Sequence, residues 1–214
     1  IMPLKPCTLG GPALGMAVDV VDDEGRPLRG KVGELVCRGP WPSQTRGLFE
    51  ASDRYIEAYW SRFKGVWFHG DFASVDEDGY WFLHGRSDDT IKVAGKRLGP
   101  TEVESIVTSH PAVAECAAVG IPDQTKGEAL WVFAILRPPH EPSEALRGQI
   151  VALVERDLGK AFRPAQVKFV RELPKTRNAK ILRRAIRAAV VGGEPGDLSG
   201  LENRASLDEI RGAL

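Results

Sequence analysis

Residues 85–104 read GRSDDTIKVAGKRLGPTEVE, and the character of the chain changes within this stretch. The residues before it alternate between apolar and polar between turn sequences, which predicts strands with one helix near 53–63. The residues after it predict strands and amphipathic helices in the order β-α-β-β-α-β-α. We therefore predict an α+β fold with a β-rich domain at 1–87, a compact domain at 88–190 and an extension at 191–214.

Three local signals predict where helices begin after this stretch. Pro100 suits a first helical position, because its missing N–H costs nothing there. Ser143 precedes an amphipathic stripe and has the character of an N-cap. Ser206 and Glu209 have the spacing of a capping box before a last short helix.

The composition argues against several classes of protein. Lysine plus arginine and aspartate plus glutamate are equal at 29 each, so no net charge favours nucleic acid or an acidic membrane. The longest apolar runs are too short to span a bilayer, and no signal segment opens the chain. Because Ile1-Met2-Pro3 reads as the middle of a longer sequence, we expect a truncated chain.

The cysteines give no sign of a disulfide scaffold or a metal. They are odd in number, far apart and in no ligand pattern: Cys7, Cys37 and Cys116. We expect buried, reduced thiols in a cytoplasmic protein and no structural metal site.

The string Phe68-His69-Gly70-Asp71 is the first candidate site. An aspartate after a glycine at a strand end can accept two hydrogen bonds from vicinal hydroxyls, as a ribose requires. The alternative is an aspartate that only caps a turn.

The stretch at 85–104 carries further candidate groups. Arg86 and Arg97 each offer a guanidinium fork that suits phosphate or ribose oxygens. Gly95 permits close approach of the backbone to a ligand, and Asp88 tolerates the unusual dihedrals that a hinge demands. Taken singly, these residues also fit a connector and hairpin with solvated charges.

A third string, PKTRNAK at 174–180, ends in a lysine near the start of the helix predicted at 181–191. A cation there opposes the helix dipole by about 0.3–1 kcal/mol. The placement is favourable when the ammonium of Lys180 and free N–H groups share an anion. A solvated basic loop is the alternative.

Together the strings resemble the adenylate-forming superfamily, which includes acyl-CoA synthetases, luciferases and peptide-synthetase adenylation domains. Four motifs match in order, over nearly the whole chain: the Gly-Asp pair ending at Asp71, Gly-Arg-x-Asp-Asp at 85–89, Gly-x-Arg at 95–97 and the lysine motif ending at Lys180. The string WPSQTRG at 41–47, the helix after it and the tail are similar to the acetyl-CoA synthetase branch.

This resemblance implies a role for each matched residue. Lys180 is then the catalytic lysine of adenylation. The other implied roles are nucleotide binding by Asp71, Arg86 and Arg97, the hinge at Asp88, and the CoA tunnel at Gly95. Residues 1–87 are then the β-rich end of a large N-terminal domain, and 88–190 the mobile C-terminal domain.

The resemblance also implies the substrates and partners. These are ATP/AMP, CoA and a small carboxylate, with Mg²⁺ held by a ligand upstream of this chain. A lysine acetyltransferase or deacetylase acting on Lys180 is a further implied partner. Ala179 departs from the family pattern, where many relatives have glycine, and removes backbone freedom next to the lysine.

The Ser/Thr/Gly-rich loop that binds ATP phosphates in the family is not among these residues, so we expect the chain alone to make no acyl-CoA. Two alternatives stay open. One is a noncatalytic binding or regulatory module with this fold. The other is a peptide-synthetase adenylation domain, which is disfavoured because no carrier-protein serine motif follows residue 190.

Overall fold

The computed structural model describes residues 2–196 and 198–214. The chain forms two compact units, Ile1–Asp88 and Asp89–Leu214. Helices and antiparallel strands occur in the mixture that the sequence predicts, and the α+β fold class is confirmed.

The first unit is built on one antiparallel sheet with strand order β1-β2-β3-β4. Its strands are β1 Val18–Val21, β2 Gly33–Cys37, β3 Trp67–Val75 and β4 Trp81–Arg86, and its helix α1 is Ser52–Trp60. Adjacent residues of β1 face opposite sides, so Val20 joins one apolar cluster and Val21 another. Helix α1 lies against the sheet through Tyr59, whose ring stacks on Trp67 at 4.2 Å between centroids.

The second unit contains a five-stranded sheet with order β6-β5-β8-β7, and β9 pairs in parallel with β8. Its strands are β5 Ile91–Val93, β6 Lys96–Leu98, β7 Val113–Asp123, β8 Gly127–Leu136 and β9 Gln166–Phe169. Its helices are α2 Pro100–Thr108, α3 Glu144–Leu158, α4 Arg183–Val191 and α5 Ala205–Gly212. A short 3₁₀ helix spans Lys160–Phe162.

Helices cover both faces of this sheet. Cys116 and Ala118 of β7 pack in the cluster that contains the apolar residues of α2 and α3. Ala117 and Val119 pack in the cluster that contains those of α4 and α5. Residues on both faces of β7 are therefore buried, which explains why the strand reads as a continuous apolar run.

Two of the predicted helix starts are confirmed and one is wrong. Pro100 is the first residue of α2, and the side chain of Ser143 accepts the N–H of Leu146 at 3.2 Å. Helix α5 begins at Ala205, so Ser206 lies inside it. The hydroxyl of Ser206 is buried and donates back to the Asn203 carbonyl at 2.6 Å, which removes it from a capping role.

The expectation of buried thiols holds for two cysteines and is wrong for the third. Cys37 and Cys116 are buried and free, whereas Cys7 is free but exposed. Burial raises the pKa of the Cys116 thiol far above its usual range, and the nearby carboxylate of Glu104 adds to the rise. That thiol is therefore held neutral and unreactive.

None of the helices in the described residues combines the length and apolar character that a membrane span requires.

Candidate functional site

Asp71 lies on β3 in register with Arg86 of β4. One oxygen of its carboxylate is 3.9 Å from Nη1 of Arg86, and the other is 3.2 Å from Nε2 of His69. The side chain of Asp71 is 20% exposed, so a ligand hydroxyl can reach its oxygens. The geometry suits a carboxylate that accepts hydrogen bonds from outside the sheet.

Arg86 joins this carboxylate to the candidate hinge residue. Its Nε and Nη2 donate to the two oxygens of Asp88 at 3.0 and 3.1 Å, and its Nη1 donates to the His69 carbonyl at 3.3 Å. This two-point contact is the strong form of an arginine–carboxylate pair. The three candidates in the first unit therefore lie together.

Gly70 makes room for that arrangement. Its φ of +81° lies in the left-handed region, and a Cβ atom placed on it would come within 3.0 Å of Nη2 of Arg86. Glycine is therefore favoured at this position for two separate reasons, backbone conformation and space for the guanidinium.

Gly95 and Arg97 share the β5–β6 hairpin of the second unit. The two turn residues, Ala94 and Gly95, have φ values of +49° and +77°, which is the type I′ turn that suits a two-residue hairpin. A Cβ atom on Gly95 would meet nothing within 4 Å, so the tip of the hairpin is open. Arg97 lies in register with Lys92, and both are exposed.

Lys180 lies on a second, separate hairpin. The Thr176 N–H donates to the Lys180 carbonyl at 2.9 Å, and the Lys180 N–H donates to the Thr176 hydroxyl oxygen at 3.2 Å. The three-residue loop 177–179 ends in Ala179, whose φ of +58° is the left-handed conformation with which such loops close. This is the physical reason why glycine suits that position.

The side chain of Lys180 is on the surface, and its amino group makes no hydrogen bond or ion pair with the described residues. Helix α4 begins only at Arg183, with Leu182 as N-cap, so the lysine precedes the first helical turn. The ammonium is therefore available to an external anion, and its unfavourable interaction with the helix dipole is small.

An ion-pair network in the second unit was not predicted from the sequence. Arg183 donates from Nε and Nη2 to the two oxygens of Glu104 at 2.8 and 2.7 Å, and from Nη1 to Asp89 at 3.1 Å. Hydrogen bonding to Glu104 raises the pKa of Arg183 above its ordinary value, and the charge of Asp89 adds to the rise. Glu104 and Arg183 are 79 positions apart, so no local pattern pairs them.

Among the described residues, no group of three or more histidine, cysteine, aspartate or glutamate side chains is arranged to hold a metal ion.

The chain is similar to several known proteins. Residues 102–180 match the model of the AMP-binding enzyme C-terminal domain. The whole chain is 46% identical to 32% of an acetyl-coenzyme A synthetase of Pyrobaculum aerophilum. It is also 46% identical to 33% of a 3-hydroxypropionyl-coenzyme A synthetase of Sulfurisphaera tokodaii, again over the whole chain.

A solved structure agrees with these relatives. Acetoacetyl-CoA synthetase from Streptomyces lividans superposes with a TM-score of 0.86 at 26% identity, over 96% of this chain and 32% of that one. The chain spans about a third of the length of the curated relatives it matches. Residues 102–180 are thus similar to the AMP-binding enzyme C-terminal domain, and the whole chain is homologous to a C-terminal portion of acetyl-coenzyme A synthetases.

Proposed function

We propose that the protein carrying this chain is an AMP-forming acyl-CoA synthetase that activates a small carboxylate with ATP and transfers the acyl group to CoA. The observation that carries the proposal is the similarity over the whole chain to synthetases of acetyl- and 3-hydroxypropionyl-coenzyme A. The exposed Lys180 ammonium, free of any anion among the described residues, supports it.

In the proposed first half-reaction, a carboxylate oxygen attacks the α-phosphorus of ATP and pyrophosphate leaves, which gives acyl-AMP. Negative charge on the reacting groups has to be stabilised, and Lys180 supplies a cation on a hairpin of defined shape. In the second half-reaction the CoA thiol attacks the acyl carbon, loses its proton and expels AMP.

Nucleotide binding is proposed for Asp71, Arg86 and Arg97. The partly exposed carboxylate of Asp71 suits the vicinal hydroxyls of a ribose. Arg86 lies beside it, and the exposed Arg97 offers a guanidinium to ribose or phosphate oxygens.

The remaining assignments concern movement between the two half-reactions. We assign residues 1–87 to the β-rich end of a large N-terminal domain, 88–190 to a mobile C-terminal domain and 191–214 to an extension. Asp88 is the proposed pivot, and its bond to Arg86 is the contact that a rotation would have to change. Gly95, at the open tip of its hairpin, is the proposed residue of the CoA tunnel.

Three further proposals concern the protein as a whole. Mg²⁺ is proposed to accompany ATP, and no residue of this chain is assigned to hold it, because the described residues include no group of three or more histidine, cysteine, aspartate or glutamate side chains arranged around a metal. We propose a cytoplasmic location, where ATP and CoA are available. An acetyltransferase would remove the charge of Lys180 and a deacetylase would restore it, which would switch the first half-reaction off and on.

The test is carboxylate-dependent nucleotide chemistry in the full-length protein. With acetate or 3-hydroxypropionate, ATP and CoA, we expect AMP, pyrophosphate and the thioester in equal amounts. Release of ADP and phosphate instead of AMP and pyrophosphate would contradict the AMP-forming assignment. Binding of nucleotide without turnover of any carboxylate would favour a noncatalytic module, which the relatives do not suggest.

A further inference from the structure

Three residues of the C-terminal tail pair with the hairpin that carries Lys180. The Glu202 N–H donates to the Lys175 carbonyl at 2.9 Å, and Thr176 forms an antiparallel bridge with Leu201. The Lys175 N–H donates to Oδ1 of Asn203 at 3.4 Å. Residues 201–203 therefore lie along the outer edge of the hairpin, where one bridge, one backbone bond and one side-chain bond give them the position of a short third strand.

The pairing uses both edges of one short arm. Within 174–176, the carbonyl of Pro174 and the N–H of Thr176 point to the lysine arm, where they bond Leu182 and Lys180 at 2.8 and 2.9 Å. The N–H and carbonyl of Lys175 point the other way, to the tail. This alternation is that of a central strand in an antiparallel sheet.

The tail is itself anchored in the core of the second unit. Leu201, Leu207 and Ile210 are buried with residues of α4. Asn203 is held on two sides, because its Nδ2 donates to Glu172 at 2.6 Å and its backbone carbonyl accepts the Ser206 hydroxyl. The third strand is thus fixed to a rigid element.

The lysine arm is packed at its far end, where Ile181 and Leu182 lie against the apolar cluster of the second unit, but its tip has little support. Residues 177–180 are exposed, and the Lys180 backbone bonds the N–H and the side-chain hydroxyl of Thr176. A two-stranded hairpin of this length is marginally stable alone, so the bonds from the tail add support where the hairpin has little.

We propose that residues 201–203 form a clamp that fixes the shape of the lysine hairpin, and that Asn203 is a positioning residue for Lys180. The structural part of this proposal is independent of the proposed function, and only the expected effect on acyl-AMP formation rests on it. The C-terminal extension then acts in the first half-reaction, because it positions Lys180. It has no part in the second half-reaction.

The test uses matched substitutions in the full-length protein. Glu202→Pro removes the N–H that bonds Lys175, whereas Glu202→Ala changes the same exposed side chain and keeps that N–H. Asn203→Ala removes the side-chain bonds and leaves the backbone as it is. Hydrogen exchange is measured on peptides that cover 174–182, and both half-reactions are measured separately.

We expect faster exchange at 174–182 in Glu202→Pro and Asn203→Ala than in Glu202→Ala. We also expect acyl-AMP formation to fall by about threefold to tenfold in the first two variants, as the loss of one or two hydrogen bonds implies. Thioester formation from supplied acyl-AMP should be unchanged. A general loss of folding would lower both half-reactions together.

The outcomes separate the clamp from the proposed function. Equal exchange at 174–182 in all variants overturns the clamp, and so does equal acyl-AMP formation in an active enzyme. If the wild-type protein forms no acyl-AMP, the proposed function fails, and the exchange comparison still decides whether the tail holds the hairpin.

Discussion

The guanidinium of Arg183 binds the carboxylate of Glu104 through two hydrogen bonds, at 2.8 and 2.7 Å, and both side chains are at most 15% exposed. Glu104 also accepts the Ala118 N–H at 3.0 Å, and the third donor of Arg183 reaches Asp89. One buried ion-pair network thus joins α2, β7 and the first turn of α4 to the first residue of the second unit.

Replacing Arg183 by alanine should destabilise the second unit strongly. The substitution leaves the Glu104 carboxylate buried without its cation, which costs about 3–5 kcal/mol for such pairs. The control is Arg156→Ala, because Arg156 pairs with Asp157 while 69% exposed, and an exposed pair is worth about 0–1 kcal/mol. Urea unfolding followed by circular dichroism measures both. Equal losses in the two variants would show that the Arg183 network adds no more than a surface pair.

Gly70→Ala should weaken nucleotide binding, and Gly79→Ala should not. Both glycines have positive φ, so both variants carry a backbone penalty of about 1–2 kcal/mol. Only at Gly70 does the added methyl group also crowd Arg86 beside Asp71, whereas at Gly79 it meets nothing within 4 Å. We expect the Kd for AMP of the full-length protein, measured by calorimetry, to rise about threefold to tenfold in Gly70→Ala. An unchanged Kd would argue against a nucleotide site at Asp71 and Arg86.

Ala179→Gly should stabilise the chain, although the same substitution in a helix destabilises it. Ala179 has a φ of +58°, and relief of that conformation outweighs the greater freedom of glycine in the unfolded chain by about 0.5–1 kcal/mol. Ala152 is exposed within α3, where glycine should cost about 0.5–1 kcal/mol. Thermal unfolding of both variants shows whether each substitution raises or lowers the stability. A loss of stability in Ala179→Gly would mean that the loop tolerates alanine without strain.

Local patterns in the sequence were enough for the elements with local causes. Period-two and helical patterns predicted most of the strands and helices, but the short strand β6 was missed and the predicted order β-α-β-β-α-β-α lacks it. Ser143 was found because an N-cap bonds a backbone N–H three residues on. The prediction of a capping box at Ser206 was wrong, because the Ser206 hydroxyl is buried and donates to the Asn203 carbonyl.

Local patterns could not predict contacts between residues that are far apart in the sequence. Arg183 meets Glu104 from 79 positions away, and the tail residue Glu202 meets Lys175 only after the second unit has packed. The loop that carries Lys180 was predicted only in part. The motif ending at Lys180 pointed to the residue, but only the backbone showed that Ala179 occupies a left-handed position and that a third strand supports the loop.

Separate measurement of the two half-reactions in the full-length Lys180→Ala variant tests the central claim most directly. A preorganised contact to the reacting charge is worth about 2.7–4 kcal/mol, so acyl-AMP formation should fall about a hundredfold or more. Thioester formation from supplied acyl-AMP and CoA should persist. Arg177→Ala, which removes a cation from the same exposed loop, serves as the control and should lose far less. Wild-type acyl-AMP formation by Lys180→Ala, or a collapse confined to the CoA step, would contradict the assignment.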